Sequence, residues 1–356
     1  MLFPIFCINT ALTLLALVNF ISIRRPSRLV QFEKSVVVLL PVRNEETNIE
    51  RIIKELQSQE GISQLSLVVI NDNSEDRTRE LALTAADSQT RIVDAPPPQP
   101  GWIGKVNALQ FGFQTAPKAD IYLSVDADVH FESDAIARAI TLQEKAGVDF
   151  ISPYPRQIAQ SWAERLIQPL LQWSWMSTVL LRGAEKFPLA STVICNGQFL
   201  VMRGDALRAI GGFEPVATKV LDDIELGRAF VSGGFRGAVV DGSAIAATRM
   251  YSTFDEIKAG YGKSLHTAFG SLMGSIVAAF FIFATGIFPF LAALTGDALA
   301  ISALVLIVLS RALSASSSAG RVRDSILHPL SAAFFLYLLY FSWRNRGKTQ
   351  WKGRTL

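Results

Sequence analysis

Three short apolar runs constrain the middle of this chain more than any other feature: "SVVVLLPV" at 35–42, "LSLVVIND" at 65–72 and "DIYLSVDAD" at 120–128. In each, apolar residues follow one another instead of alternating with polar ones. That pattern belongs to strands buried on both faces. Between the first two runs Ile49, Ile52, Ile53 and Leu56 fall on one helical stripe, and "EDRTRELALTAADS" supplies a helix after the second. "TRIVDA" reads as a short third strand, and 105–114 as a helix with Val106, Leu109 and Phe113 on one face. Strand–helix–strand repetition of this kind predicts an α/β domain built on a parallel sheet with helices on both faces.

Sheets of that type bind ligands at the carboxyl ends of their strands. Here the first run ends in Pro41, Arg43, Asn44 and Glu45, the second in Asp72 and Asn73, and the later one in Asp126 and Asp128. Singly, each is an ordinary loop residue; together they predict one polar crevice. No G-x-G-x-x-G follows the first strand and no G-x-x-x-x-G-K-[ST] occurs, which argues against a dinucleotide fold and a P-loop NTPase.

The two ends of the chain have a different character. Half of the 356 residues are hydrophobic and only 18% are charged, with a mean hydropathy of +0.30, too apolar for an ordinary soluble enzyme. The excess is concentrated at the termini. Residues 1–24 are long enough for one membrane span of roughly 20 residues and lack a cleavage site, so they predict a retained anchor. Arg24, Arg25 and Arg28 follow, placing the next segment in the cytoplasm. Three further apolar stretches lie near 270–294, 298–313 and 326–343, the middle one shorter and carrying Arg311.

Three full spans from a cytoplasmic domain would leave residues 344–356 outside. Yet that tail holds Arg344, Arg346, Lys348, Lys352 and Arg354, and the preceding loop holds Arg321 and Arg323. Such clusters stay inside, so one stretch is expected to be re-entrant or interfacial, giving two to three spans across 268–343. Trp-rich "SWAERLIQPLLQWSWMSTVLL" at 161–181 reads either as a helix at the membrane interface or as a buried one. The near-neutral charge of +3 and the lack of a basic stripe exclude nucleic acid as a partner. Cys7 and Cys195 lack C-x-x-C partners, so neither a disulfide framework nor a zinc site is expected.

"VVLLPVRNEE", "VVINDNSED", "GWIGKVNAL", "VDADVHF" and "LDDIELGRAF" resemble, in order, the motifs of family 2 glycosyltransferases over 35–265. "PGWIGK", "TRMYSTFDEIKAGYGKSL" and the ending "HPLSAAFFLYLLYFSW…WKGR" are similar to the membrane-bound, diaponeurosporenoate-type carotenoid glycosyltransferases. The resemblance implies a GT-A (Rossmann-like) nucleotide-sugar-binding domain flanked by transmembrane helices. It also implies inverting transfer from a nucleotide sugar, UDP-linked by analogy, to a lipid acceptor, on the cytoplasmic side of a multi-pass protein of the cell membrane.

Each motif residue then has a physical role. Asp126 and Asp128 offer hard oxygen ligands to Mg2+ or Mn2+, which would act as a Lewis acid on the departing diphosphate. Asp126 also counts among the nucleotide-sugar-binding residues. His130 stands as a metal ligand or, on the blander reading, a surface histidine. Lys105, flanked by Gly104 in "GWIGK", offers an ammonium to a phosphate; otherwise it is a solvated helix-start lysine. Asp72 corresponds to the family's uracil-binding aspartate, and Pro41, Asn44 and Glu45 to the turn lining the uridine. The usual "DDGS" reads Asn71-Asp72-Asn73-Ser74 here, which keeps the shape and loses a charge.

An inverting transfer needs a base for the acceptor hydroxyl. The resemblance assigns Asp223, with Asp222 beside it raising its proton affinity by like-charge repulsion; an acidic helix N-terminus is the compatible structural reading. Gly197 and Gln198 fall in the acceptor-side segment. Of the residues after the domain, Tyr261 is expected on the acceptor, and Arg249 or Lys263 on the diphosphate or on lipid headgroups. Transfer to a polyprenyl phosphate, a hopanoid or a sphingolipid would use most of the same residues. The missing Q-x-x-R-W argues against a processive synthase, and the absence of repeated helix bundles against a transporter. A catalytically silent nucleotide-sugar-binding scaffold should have lost the base or the metal carboxylates, and both are present.

Overall fold

The computed structural model describes residues 2–27, 31–346, 350–351 and 354–355. Arg28, Lys348 and Lys352, and the side chain of Arg354, lie outside the described residues. The chain divides into two compact units: a sheet unit of Arg24–Arg156 and Gly183–Thr248, and a helical unit of Met1–Ile23, Gln157–Arg182 and Arg249–Leu356.

In chain order the helices are α1 (Leu2–Ser22), α2 (Ile49–Gln57), α3 (Thr78–Ala85), α4 (Gly104–Thr115), α5 (Ala135–Ala146), α6 (Trp162–Thr178), α7 (Leu181–Lys186), α8 (Gly204–Ala209), α9 (Asp222–Ser232), α10 (Phe254–Ala268), α11 (Leu272–Ile282), α12 (Phe288–Ala293), α13 (Ala298–Ser317) and α14 (His328–Arg344). The strands are β1 (Val36–Val42), β2 (Leu65–Asn71), β3 (Thr90–Asp94), β4 (Ile121–Val125), β5 (Val129–Phe131), β6 (Phe150–Tyr154), β7 (Arg156–Gln157), β8 (Phe199–Arg203), β9 (Gly237–Asp241) and β10 (Ala246–Thr248), followed by the short pair Gln350–Trp351 and Arg354–Thr355.

The main sheet runs β3-β2-β1-β4-β8-β6-β9, with a small sheet β5-β10-β7 beside it. Its first strand shows why the apolar runs are continuous. Val36, Val38 and Leu40 pack against Ile49, Ile52, Ile53 and Leu56 of α2 and Ile136 and Ile140 of α5. Val37 and Leu39 pack on the opposite face against Val106 and Leu109 of α4. The four α2 residues are all at 0% exposure, each worth about 1.5–3 kcal/mol of burial; the stripe read from sequence is the side of α2 that faces the sheet.

One expectation is corrected. The sheet is mixed, because β8 runs antiparallel to both β4 and β6. An antiparallel β8 enters from beyond the carboxyl end of β4, with Phe199 opposite Val125. The Gln198 carbonyl therefore accepts the Asp126 N–H at 3.2 Å. Reversing that one strand brings residues 196–198 to the end of the sheet where the strands' polar residues gather.

Among the described residues of the helical unit, four helices are long and apolar enough to cross a membrane: Leu2–Ser22, Leu272–Ala293, Ala298–Ser317 and Val322–Arg344. The third outlasts its apolar pattern because its last turns bury Ser310, Arg311, Ser314 and Ser317 inside the unit. Arg311 donates to Ser331 Oγ at 2.5 Å and to the Arg165 carbonyl at 3.0 Å. α6 opens on a capping box between Ser161 and Glu164 and contains Pro169. Its Trp173 and Trp175 are buried and Trp162 is exposed.

Candidate active site

The polar crevice is assembled from six places: the turns after β1, β2 and β4, the loop before β8, and the first turns of α4 and α9. Its centre is Gly197. The Gly197 N–H donates to Asp223 Oδ2 at 2.9 Å, and the Ile224 N–H donates to Asp223 Oδ1 at 2.8 Å. A Cβ at position 197 would stand 3.2 Å from Asp223 Cβ and 3.4 Å from Lys105 Nζ. Glycine is thus what lets the candidate base and the candidate phosphate cation approach one point. Lys105 Nζ lies 2.6 Å from Asp126 Oδ1 with 19% of its side chain exposed.

The electrostatics of this cluster are unbalanced. Desolvation would push the Lys105 ammonium down, but Asp126, Asp222 and Asp223 more than offset it and hold it above the usual lysine range. Desolvation, then the neighbouring Asp222 charge, push Asp223 up to about 6, although an edge of the residue still reaches solvent. Asp128 is pushed up to about 6 by desolvation, then by Asp126 and Glu45; it accepts a hydrogen bond from Thr248 Oγ1 at 3.2 Å. Asp222 and Asp223 also open α9, so the helix-terminus reading holds alongside the catalytic one.

Four carboxylates, Asp126, Asp128, Asp222 and Asp223, surround one lysine. Their oxygen donors and excess negative charge fit a divalent cation. Among the described residues no group of three or more His, Cys, Asp or Glu side chains is arranged to hold a metal, so Asp126 and Asp128 would leave positions for phosphate oxygens and water. His130 does not join them. The strand alternation turns it outward between buried Val129 and Phe131, and its Nδ1 sits 3.3 Å from Glu55 Oε1.

The turns after β1 and β2 are tied to each other. Buried Arg43 donates to the carbonyls of Asp72 (2.8 Å) and Asn73 (2.9 Å) and pairs with Glu75 at 3.0 Å. Asn44, at φ 51°, accepts the Glu75 N–H at 2.9 Å. Glu45 accepts from Asn48 Nδ2 at 2.9 Å while its own N–H donates to Thr78. Pro41 stands in β1 opposite Ile70. Asp72 is buried, its N–H donating to the Val42 carbonyl at 2.8 Å. The departure at Asn71 has a local cause: its amide donates to Asp94 at 2.8 Å and its carbonyl accepts the Ser74 N–H. An aspartate there would face Asp94 with like charge.

Gln198 is buried, and Asn196 braces it through Nδ2 to Oε1 at 3.0 Å. Arg249, Tyr261 and Lys263 belong to the helical unit. Arg249 forms a two-pronged pair with buried Glu164 at 2.9 and 3.2 Å. Tyr261 is buried, its ring 5.9 Å from that of Tyr251.

Sequence reasoning missed the support under the Asp126–Asp128 turn. Arg51 of α2 donates to the carbonyls of Ala127 and Val129, both at 2.8 Å, and so grips the backbone on each side of Asp128. Glu55 accepts the Phe131 N–H at 2.9 Å. Gln59 donates to the Glu132 carbonyl and accepts the Ile136 N–H. Positions 51 and 55 lie one turn apart on α2 beside the apolar stripe, and Gln59 continues the four-residue spacing just past the helix end, which is the signal a sequence could have offered.

Comparison with known proteins bears on the family and the fold. The model of the family "Glycosyl transferase family 2" matches residues 37–211. The chain is 25% identical over 345 residues to 4,4'-diaponeurosporenoate glycosyltransferase of Staphylococcus aureus strain USA300, covering 90% of this chain and 88% of the relative. It is 26% identical over 342 residues to the same enzyme of strain MRSA252, with the same coverage. Among solved structures, a mannosyltransferase from Pyrobaculum calidifontis in complex with GDP-Man and Mn2+ superposes with a TM-score of 0.52, over 97% of this chain and 98% of that one, at 16% identity.

Proposed function

The chain carries a glycosyl transferase family 2 domain and is a glycosyltransferase, and on that premise we propose an inverting hexosyl transfer from a UDP-sugar to a lipid acceptor of the carotenoid class, at the membrane. The observation that carries the proposal is the meeting at Gly197 of the Asp223 carboxylate and the Lys105 ammonium, beside Asp126. The relatives' coverage of 90% of the chain supports a carotenoid acceptor, and the four apolar helices support a membrane location with the sheet unit on the cytoplasmic side.

In this reading the donor's base lies against Asp72 in the turn held by Arg43, and its diphosphate lies toward Lys105, Asp126 and Asp128. A divalent cation, held by Asp126 and Asp128, would neutralise charge on the departing diphosphate. Asp223 accepts the acceptor hydroxyl's proton as the oxygen bonds to the anomeric carbon and the bond from that carbon to the diphosphate oxygen breaks on the opposite face. The Gly197 and Ile224 N–H groups hold both carboxylate oxygens, fixing the base's direction. Lys105 stays protonated throughout the neutral range and attracts the leaving group.

The test is transfer by the full chain in detergent, with UDP- and GDP-sugars, carotenoid and other lipid extracts, and Mn2+ or EDTA. Metal-dependent transfer from a UDP-sugar to the carotenoid fraction is expected. Undiminished activity in EDTA would sink the metal site, and a strict preference for GDP-sugars or for a non-carotenoid lipid would replace the corresponding substrate.

A further inference from the structure

The basic loop at 321–323 and the basic tail at 344–356 cannot both lie on one face of a membrane if the apolar helix between them crosses it. Two sets of contacts inside the helical unit resolve the conflict. They bear on topology if this unit is embedded as the functional reading above holds.

The first set fixes the direction of α13. Asn9 Nδ2 donates to the Ala303 carbonyl at 2.9 Å and Thr13 Oγ1 to the Leu306 carbonyl at 2.8 Å. Later residues of α1 meet later residues of α13, so the two helices run parallel. α13 therefore ends on the face where α1 ends, at Arg24 and Arg25, and Arg321 and Arg323 follow it there. The helix pair from Leu272 to Ala293 makes the return crossing.

The second set concerns α14. From Phe334 to Ser342 it contacts α10: Phe254 lies 5.7 Å from Phe334 and Lys258 Nζ 4.5 Å above the Phe341 ring. Ser342 Oγ donates to the Gly262 carbonyl at 2.7 Å and accepts the His266 N–H at 2.9 Å. α10 carries Asp255, Glu256, Lys258, Lys263 and His266, with both acids exposed. They are spread over about 16 Å at 1.5 Å per residue. A crossing α14 would hold this series of charges within a hydrocarbon layer about 30 Å thick. Protein covers half of the most apolar window of Val322–Arg344, against 17% for Leu272–Ala293.

We infer that α14 lies along the membrane surface beside α10, so that the unit crosses three times and residues 344–356 remain on the face where α1 ends. The surface it fits is a headgroup layer carrying anionic lipid. Exposed Trp162 stacks on Phe254 at 5.6 Å, and Phe334 and Tyr337 continue the aromatic strip; such rings settle at headgroup depth. Arg321 and Arg323 before α14 and Arg344 and Arg346 at its end supply the complementary charge. Gly270, at φ +72°, makes the corner from which α11 turns into the bilayer, capped by Ser271 accepting the Gly274 N–H at 3.0 Å.

Reporter fusions to the full chain in a bacterial host test this. Green fluorescent protein after Leu356 is expected to fluoresce and alkaline phosphatase there to be inactive, as at Gly320, whereas phosphatase at Gly296 is active. In a Cys7→Ser background, a spin label at Tyr337→Cys is expected at shallow depth and one at Val305→Cys near mid-bilayer. Active phosphatase after Leu356, or a Tyr337 label as deep as the Val305 label, overturns the topology while leaving membrane embedding and transfer activity standing. Recovery of the chain in a carbonate supernatant overturns embedding and topology together.

Discussion

The two units bury polar side chains for opposite ends. In the helical unit many polar groups are spent on one another or on backbone, although the Gln168 amide and His328 Nδ1 are buried without such a partner: Asn9 on the Thr285 and Ala303 carbonyls, Trp173 on Ser310, Gln172 on Ser317, Arg165 on Asp324, Arg249 on Glu164. In the sheet unit the carboxylates at the strand ends are left in excess, and Asp128 and Asp223 keep protons up to about 6. Satisfied networks fix a packing arrangement; unsatisfied charge is a site waiting for a substrate or cation. The difference predicts that substitutions at the site cost chemistry without stability, and substitutions in the helical network cost stability without chemistry.

The largest expected effect is at Asp223. Asp223→Asn keeps the shape and removes the base, so kcat should fall by about 10³-fold, while the melting temperature changes little because relief of repulsion with Asp222 offsets the one backbone N–H acceptor lost. Wild-type transfer should climb with pH through about 6, as the carboxylate loses its proton, and then level off. A variant retaining wild-type kcat, or a rate that falls across that range, breaks the assignment. Asp128→Asn follows. It should cut transfer by about 10²-fold and abolish stabilisation by Mn2+, yet raise the melting temperature of the metal-free protein by about 2–4 °C for each kcal/mol of repulsion removed. The sign follows from its raised pKa. A carboxyl held near 6 in the folded state and near 3.8 in the unfolded one contributes stability below 3.8 that is lost as pH rises through 6. Metal-free protein should therefore melt higher at pH 5 than at pH 7.

What the sequence made legible were groups whose chemistry requires particular residue types close together. Asp126 with Asp128, Asp222 with Asp223, and Lys105 after Gly104 are visible as pairs, and the crevice followed from where the apolar runs stop. Arg51 was not legible because its partners are backbone carbonyls 76 and 78 residues away, and a carbonyl carries no side-chain identity. The direction of β8 was equally hidden, since an apolar run reads the same in a parallel or antiparallel strand. His130 could have been placed, because period two turns it away from Val129 and Phe131. The side proposed for the tail rests on how α10 lies against α14, a tertiary contact between two helices that hydropathy treats separately.

Arg51 sharpens the comparison because it is a satisfied group serving an unsatisfied one. Arg51→Met should weaken apparent Mn2+ affinity by about 10–100-fold, with a much smaller change in kcat at saturating Mn2+. Equal loss in both would make it a structural residue only. Asn9→Leu tests the other side with the smallest effect. It removes two hydrogen bonds that join α1 to the carbonyls of Thr285 and Ala303, inside a helix pair whose apolar packing remains. Such bonds between membrane helices contribute about 0.6 kcal/mol, so unfolding in detergent should shift by no more than a few degrees with kcat and KM unchanged. A change in kcat at Asn9 would mean that the helical unit's network is coupled to the chemistry, and the division of labour between the two kinds of buried polar group would fail.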